Sequence, residues 1–287
     1  MTEVYLNGSF MRAEDARISP MDRGFLFADG VYEVIPAFAG VLFRPDPHLQ
    51  RLERSLQALD MTNPYAASAW RALCEQIVQR NGGGDLAVYL QVTRGAPARR
   101  DHTFPVPPVE PTVFMTAAPL APTSIDDPDT VPGESAIVVP DLRWGRCDIK
   151  SVALLPNVLA RQQASAAGAA EAIFVRDGFL TEGSSTNVFI VRQGRIATPP
   201  LSPRILGGIT RELVIELCRT HGLFIEEREV AAQALQDADE IWVTSSSRDV
   251  MPIVRLDDRP VGAGRPGPVW RTLAGHYRAF KLAACAG

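Results

Sequence analysis

The sequence predicts an α+β protein of two domains, on three observations. Apolar residues alternate with a period of two over many short runs, the pattern of half-buried strands. Helical spacing occurs in separate blocks and does not alternate strictly with the strands, so strand-rich sheets with segregated helices are expected. The 287 residues also exceed the size at which a single hydrophobic core usually stops growing.

The elements follow in order. Residues 3–7 read as a short strand, and 31–38 with 41–43 as a hairpin across Ala39-Gly40. Leu49, Leu52, Leu56 and Leu59 recur at helical spacing, which places an amphipathic helix from about residue 47. A second helix covers 65–80 and stops at Asn81-Gly82-Gly83-Gly84, read as a hairpin connection; strands at 86–94 and 112–118 follow. The stretch 119–133 is rich in Pro, Asp, Ser and Thr without apolar periodicity, as a linker would be. It separates a smaller domain, 1–118, from a larger one, 134–287. The larger one is expected to hold strands at 136–142, 172–176, 188–191, 224–230, 241–245 and 253–255, with helices at 157–167, 210–221 and from about 269.

Bulk properties exclude several classes. A net charge of −4 gives no electrostatic case for nucleic acid or an anionic membrane. No apolar run is long enough to span a bilayer, and Met1-Thr2-Glu3 is not the start of a signal peptide. Cys74, Cys147, Cys218 and Cys285 lack CxxC spacing, and His48, His102, His221 and His276 are too dispersed for a metal motif, so no metal is expected. A cytoplasmic enzyme with reduced thiols fits. No Gly-x-Gly-x-x-Gly lies between strand and helix, and Gly82-Gly83-Gly84 lacks the Lys-Ser/Thr of a phosphate loop.

The chain writes its positive charge as arginine. Of 29 basic residues only Lys150 and Lys281 are lysine. A guanidinium stays charged to a pH of about 12 and neither attacks carbonyls nor shuttles protons near neutrality. A lysine amine can do both, and forms Schiff bases with carbonyls and with pyridoxal phosphate. The setting of Lys150, Arg143-Trp144-Gly145-Arg146-Cys147-Asp148-Ile149-Lys150-Ser151, marks it as a candidate nucleophile against the alternative of a surface lysine.

Four further segments could carry chemistry. Leu206-Gly207-Gly208-Ile209-Thr210 enters a helix, where free N–H groups and the positive dipole end suit a phosphate; it reads equally as a loop with Thr210 as N-cap. Thr244-Ser245-Ser246-Ser247 offers hydroxyls at a strand end, or a polar turn. Glu182, in Thr181-Glu182-Gly183-Ser184-Ser185-Thr186-Asn187, could partner a pyridinium N–H or be an acidic turn residue. Arg99-Arg100-Asp101-His102 could grip a carboxylate or be a solvated loop. His221 reads as a helix C-cap, and His276 as a surface helix residue.

Together these segments resemble the fold-type IV pyridoxal-phosphate aminotransferases, most closely those acting on D-amino acids. The resemblance runs from about residue 5 to 254. It rests on Asp22-Arg23-Gly24-Phe25, Asp29-Gly30-Val31-Tyr32-Glu33-Val34, Gln91-Val92-Thr93-Arg94-Gly95 and Cys147-Asp148-Ile149-Lys150-Ser151. It continues through the Thr181 to Phe189 segment, Gly208-Ile209-Thr210-Arg211 and Val243-Thr244-Ser245. It implies a smaller N-terminal α/β sandwich, a larger C-terminal domain with a pseudo-barrel of strands, and pyridoxal 5'-phosphate as cofactor. It also implies that Lys150 carries the internal Schiff base and moves the Cα proton, and that Glu182 bonds the ring nitrogen. Arg51, Ile209, Thr210, Ser245 and Ser246 then hold the phosphate, and Leu206 packs on the ring. Tyr32, Arg100 and His102 trap the substrate α-carboxylate, the last two reaching in from the other subunit of a homodimer. The implied reaction is transamination between D-amino acids and 2-oxo acids, of the type D-alanine plus 2-oxoglutarate to pyruvate plus D-glutamate.

Three departures stand out: Pro36 for a lysine, Asp101 for an alanine and Arg248 for a serine. Asp101 could pair with Arg100 and weaken the trap, and Arg248 could bind a second substrate carboxylate or form a surface ion pair. The alternatives of the same fold are branched-chain L-amino acid transamination, (R)-amine transamination and aminodeoxychorismate lyase activity. The alternative of another class is a non-catalytic pyridoxal-phosphate-binding protein. The Arg100-x-His102 pattern favours D-amino acids.

Overall fold

The computed structural model describes residues 2–123 and 125–285; Met1, Ser124 of the expected linker and the last two residues of the expected second domain lie outside them. The chain divides into two compact units. The first is Met1–Ala121 together with Ile149–Ala153, and the second is Pro122–Asp148 together with Leu154–Gly287. The expected larger domain is therefore interrupted: the segment bearing Lys150 clusters with the first unit.

The first unit is built on β1 (Glu3–Leu6), β2 (Ser9–Arg12), β3 (Gly30–Phe38), β4 (Val41–Leu42), β5 (Leu86–Thr93) and β6 (Thr112–Pro119). A short helix, α1 (Arg23–Phe27), precedes β3, and α2 (Pro45–Ala58) and α3 (Ala67–Arg80) lie between β4 and β5. The sheet has the order β2-β1-β6-β5-β3-β4 and is antiparallel throughout. Its alternating residues Val31, Ile35, Val88, Leu90, Val92, Val113 and Met115 face Leu49, Leu52 and Leu56 of α2 and Trp70, Cys74 and Ile77 of α3 in one core. Pro45 starts α2, where its missing N–H costs nothing and its fixed φ suits the first turn. β4 pairs only with Ala37 and Phe38, leaving the first half of β3 an open edge. Residues 149–152 fill it: Val31 bridges Ser151, and Tyr32 N–H donates to Lys150 O at 3.0 Å.

The second unit comprises β7 (Glu134–Pro140), α4 (Leu155–Ala166), β8 (Glu171–Arg176), β9 (Phe179–Gly183), β10 (Asn187–Arg192), β11 (Arg195–Thr198), α5 (Ile209–Thr220), β12 (Ile225–Glu227), β13 (Glu240–Ser245), β14 (Asp249–Leu256), β15 (Arg259–Pro260) and α6 (Pro268–Cys285). The sheet path is β12-β11-β10-β13-β14-β7-β8-β9, with β15 beside β14. Gly183 N–H bonds Thr186 O at 2.7 Å and β9 packs against β10, so the strands from β10 to β9 curl into a half-barrel. Ile173, Val188, Ile190, Ile241, Val243 and Ile253 fill its apolar interior.

Several expectations change here. Gly82 to Gly84 join α3 to β5, a helix-to-strand connection and not a hairpin. The strand expected at 224–230 shrinks to Ile225–Glu227. β2, α1 and β11 were not foreseen, and Glu182 lies in a strand, β9, instead of the turn after it. The proline-rich stretch is also tied down: Ile125 is buried, Thr123 Oγ1 donates to Asp249 Oδ2 at 2.7 Å, and Arg271 Nη1 reaches Pro128 O at 3.0 Å. The second lysine has its place in the same knot, with Lys281 Nζ 3.0 Å from Asp249 Oδ2 and 3.3 Å from Asp126 Oδ1.

Candidate active site

Lys150 is fixed through its backbone. Its carbonyl accepts from Tyr32, its N–H donates to Ser55 Oγ of α2 at 3.3 Å, and Val152 N–H donates to Gly30 O at 3.0 Å. Its amine lies 4.1 Å from the centroid of the Tyr32 ring, which stacks on Tyr89 at 5.6 Å. Among the described residues no hydrogen bond or ion pair holds that amine. An ammonium over an aromatic face is stabilised without a carboxylate that would tie it down.

Beneath β3, Glu33 is fully buried and receives Arg51 Nε at 2.7 Å, Arg51 Nη2 at 2.8 Å and His48 Nδ1–H at 2.8 Å. Burial pushes the Glu33 carboxyl up, but the Arg51 charge and its hydrogen bonds, with His48, hold it well below the ordinary range. Burial lowers His48, with the Arg51 and Lys150 charges adding, against the pull of Glu33. Arg51, expected to grip phosphate, thus has a carboxylate as its partner for Nε and Nη2. His48 and Arg51 sit three residues apart on α2 and share a face.

The second unit holds Glu182, buried at the end of β9. Its Oε1 accepts from Arg143 Nη1, and its Oε2 from Leu206 N–H at 2.9 Å and Asn187 Nδ2 at 3.1 Å. Arg143 turns its fork to Asp141, with Nε to Oδ1 at 2.9 Å and Nη2 to Oδ2 at 2.8 Å, and lies over the Phe174 ring. Asp141 also accepts from Thr181 Oγ1 and Arg176 Nη2, both at 2.9 Å. Burial raises Asp141, and the Arg143 bonds and charge outweigh it to bring it to about 2. Glu182 goes the other way. Burial lifts it above the ordinary range, Asp141 adds to the lift, and Arg143 and Leu206 compensate only in part.

Beside this pair, Gly208 caps α5 without a side-chain bond, and Thr210 lies inside the helix, so the N-cap reading of Thr210 does not hold. A Cβ at Gly208 would run into Asn187 Oδ1, which explains the glycine. Asn187 faces Thr244 across β10 and β13, so their side chains share a sheet face. Among the described residues Thr244 Oγ1 and Ser245 Oγ are buried without a hydrogen-bond partner, and Ser246 follows in the turn. Buried hydroxyls rarely go unsatisfied. Orphaned hydroxyls and the N-terminus of a twelve-residue helix lie on the same unit, and each is a group that suits an anion.

The Arg100 and His102 side chains both lie against Phe27, the guanidinium 4.6 Å from the ring centroid and the imidazole 5.2 Å. Among the described residues no contact joins them to Tyr32. Asp101 does not pair with Arg100: its Oδ1 accepts Thr103 N–H and Oγ1, each at 3.0 Å. Arg248 is half-buried; Nη2 donates to Ala170 O at 3.1 Å and Nη1 lies 3.8 Å from Glu171, an ion pair at the edge of the surface. Pro36 is an interior residue of β3 whose carbonyl accepts from Phe43. His221 caps α5 and stacks on His276 at 3.6 Å, so His276 is not a lone surface histidine.

Residue types alone did not single out Glu33, Asp141, Arg143 or Asn187. Asp141-x-Arg143 directly before the lysine segment was the available signal, because a fork two residues from an acid can bond it bidentately.

The Amino-transferase class IV family model matches residues 30–256. A D-alanine aminotransferase of Bacillus licheniformis is 38% identical over 272 residues, 94% of each chain. A branched-chain amino acid aminotransferase of T.th., solved with N-(5'-phosphopyridoxyl)-L-glutamate, superposes with a TM-score of 0.86 at 27% identity, covering 99% of this chain and 94% of that one. A branched-chain aminotransferase of Thermoproteus uzoniensis, solved with norvaline, gives a TM-score of 0.86 at 28% identity over 99% and 96%. The match over most of the length, together with the geometry around Lys150 and Glu182, identifies the chain as a member of the class IV amino-transferase family.

Proposed function

We propose that this enzyme transfers amino groups between D-amino acids and 2-oxo acids with pyridoxal 5'-phosphate, in the manner of D-alanine plus 2-oxoglutarate to pyruvate plus D-glutamate. One observation carries the reading: Glu182 is buried, incompletely neutralised and not saturated with donors. Its three donors fill three of roughly four acceptor positions of a carboxylate. A cationic ring N–H suits the one that remains and offsets the burial of the charge.

The other residues fit the cofactor as well. The orphaned hydroxyls of Thr244 and Ser245, with the N–H groups of Ile209 and Thr210, suit a phosphate. Arg51, held by Glu33, and Ser246 are proposed for the same phosphate, and Leu206 for the ring. When bound, pyridoxal phosphate supplies a carbonyl to capture an amine and a ring to accept electron density released at the substrate Cα. Lys150 would hold the cofactor through its amine, and the free amine would move the Cα proton. Tyr32, Arg100 and His102 hold the substrate carboxylate and so select the enantiomer whose Cα–H faces Lys150.

The D-amino acid preference draws on the Arg100-x-His102 loop and on the likeness to the Bacillus licheniformis protein. The branched-chain alternative draws on the two solved structures. A homodimer sharing its trap between subunits is part of the proposal, as is a cytoplasmic location; among the described residues no helix is long and apolar enough to cross a membrane. Borohydride treatment of the holoenzyme followed by peptide mapping tests the chemistry, and the adduct is expected on Lys150. Lys150→Ala should retain cofactor non-covalently and lose turnover by roughly 10⁴-fold or more, because nucleophile and proton carrier disappear together. An adduct on Lys281, or faster consumption of L-leucine than of D-alanine, overturns the reading.

A further inference from the structure

The motif Asp22-Arg23-Gly24-Phe25 has no direct part in the proposed chemistry, yet each of its first three residues is fixed by neighbours. Asp22 Oδ1 caps α1 through Gly24 N–H at 2.8 Å, while Oδ2 accepts Thr93 Oγ1 at 2.9 Å. A Cβ on Gly24 would collide with the Thr93 side chain, so the turn requires glycine. Arg23 N–H donates to Gly95 O at 2.9 Å. This holds Arg23 at the start of a single helical turn with its side chain buried, 4% exposed.

That guanidinium lies 4.9 Å from the Phe27 ring centroid and donates to one loop and one acid. Nε donates to Asp29 Oδ2 at 2.7 Å. Nη1 donates to Asp101 O at 2.5 Å and Thr103 O at 3.2 Å, and Nη2 to His102 O at 3.3 Å. Three consecutive carbonyls are thus held by one planar group. Asp29 is itself gripped by Arg94, Nε to Oδ2 at 2.8 Å and Nη2 to Oδ1 at 3.1 Å. Arg94 in turn donates to Leu59 O at 2.6 Å, which ties the assembly to the end of α2. Four residues after Arg23, Phe27 presents the ring on which both the Arg100 guanidinium and the His102 imidazole lie. Backbone and side chains of the loop are therefore held from the same short helix.

We infer that Arg23 and Phe27 are positioning residues for carboxylate recognition. Arg23 fixes the backbone of residues 101–103, and Phe27 seats Arg100 and His102, so that the loop meets an anionic substrate already ordered. The inference rests on the reading of Arg100 and His102 as the carboxylate trap. A preformed loop does not lose its ordering entropy when substrate binds, which is where the affinity gain arises. Arg23 does this because its planar fork bonds several acceptors at once, as a lysine could not.

The test uses the holoenzyme with three probes: D-alanine, 2-oxoglutarate, and hydroxylamine, which attacks the bound cofactor without offering a carboxylate. Arg23→Gln and Phe27→Leu should each raise KM for D-alanine and 2-oxoglutarate about tenfold, approaching the effect of losing a charged hydrogen bond. The hydroxylamine rate and the visible cofactor band should stay within twofold of wild type. Phe27→Tyr keeps the ring and should restore KM. Where Arg23→Gln folds poorly, Phe27→Leu carries the test, since its ring is only half-buried. Parallel losses with D-alanine and hydroxylamine mean a merely structural role and overturn the inference. Arg100→Leu separates the two levels of the argument. A raised KM there with unchanged values in Arg23→Gln and Phe27→Leu overturns the positioning role alone. An unchanged KM in Arg100→Leu overturns the trap reading and the inference with it.

Discussion

In each unit a buried glutamate is bonded by an arginine, Glu33 by Arg51 and Glu182 by Arg143, and these two pairs behave oppositely. In the first, Glu33 receives two N–H groups of Arg51 and one of His48, and its carboxyl is held far down. In the second, Arg143 gives its bidentate edge to Asp141 and reaches Glu182 with Nη1 alone. The Glu182 carboxyl is pushed up. A buried carboxylate is quiet when it receives the bidentate edge of a guanidinium, and receptive to another cation when it receives a single N–H of one. The first arrangement suits a support, the second a partner for a charged ring.

The largest effect should come from breaking the quiet pair. Glu33→Gln removes the negative charge that Arg51, 5% exposed, bonds through Nε and Nη2. Breaking a buried pair from one side costs about 3–5 kcal/mol. Chemical denaturation of the apoenzyme should show that loss, and an unchanged midpoint would mean that the pair is solvated. Glu182→Gln should lower stability far less, because Arg143 keeps its bidentate bond to Asp141.

The cost of Glu182→Gln should instead appear in chemistry. A neutral amide no longer favours the protonated ring, so negative charge formed at Cα is poorly delocalised. Single-turnover rates with D-alanine should fall on the order of 10²–10³-fold, the scale of losing one preorganised electrostatic group. Cofactor affinity should change much less. A normal rate would reduce Glu182 to a structural member of β9.

How far the sequence alone reached follows the same contrast. Leu49, Leu52 and Leu56 announce α2 because packing on a sheet requires their periodicity, and Lys150 stands out because arginine replaces lysine elsewhere. Glu182 was legible through the motif around it. Its placement within β9 was not, because Thr-Glu-Gly carries no apolar alternation. Glu33 reads as a solvent-facing strand residue until α2 folds back to supply His48 and Arg51, fifteen and eighteen positions later. Asp141, which the strand expected at 136–142 would include, lies with Arg143 in coil beyond Pro140, where the apolar period no longer places a side chain. Burial and sharing of charge are tertiary properties, so the family motifs point to candidate residues but not to which arginine is divided between two acids.

Acid titration gives the smallest effect and tests the contrast most directly. Asp141 and Glu33 are both lower in the folded protein than in the unfolded chain. Their stabilisation is therefore fully present above the ordinary carboxylate range near 4 and is lost as pH falls through the folded values. For Asp141 that window runs from about 4 down to about 2. Glu182 is raised, so its sign is reversed: its contribution is complete below the ordinary range and is lost as pH rises through its folded value. The stability deficit of Glu33→Gln against wild type should stay constant from pH 7 to about 4 and narrow below it, as Glu33 of the unfolded wild-type chain becomes protonated. For apo Glu182→Gln the small deficit in melting temperature should be least at pH 7 and grow as the solution is acidified, because wild-type Glu182 contributes more once protonated. Parallel pH profiles for the two variants would mean that the two pairs are electrostatically alike, and the distinction between support and ring partner would have to be abandoned.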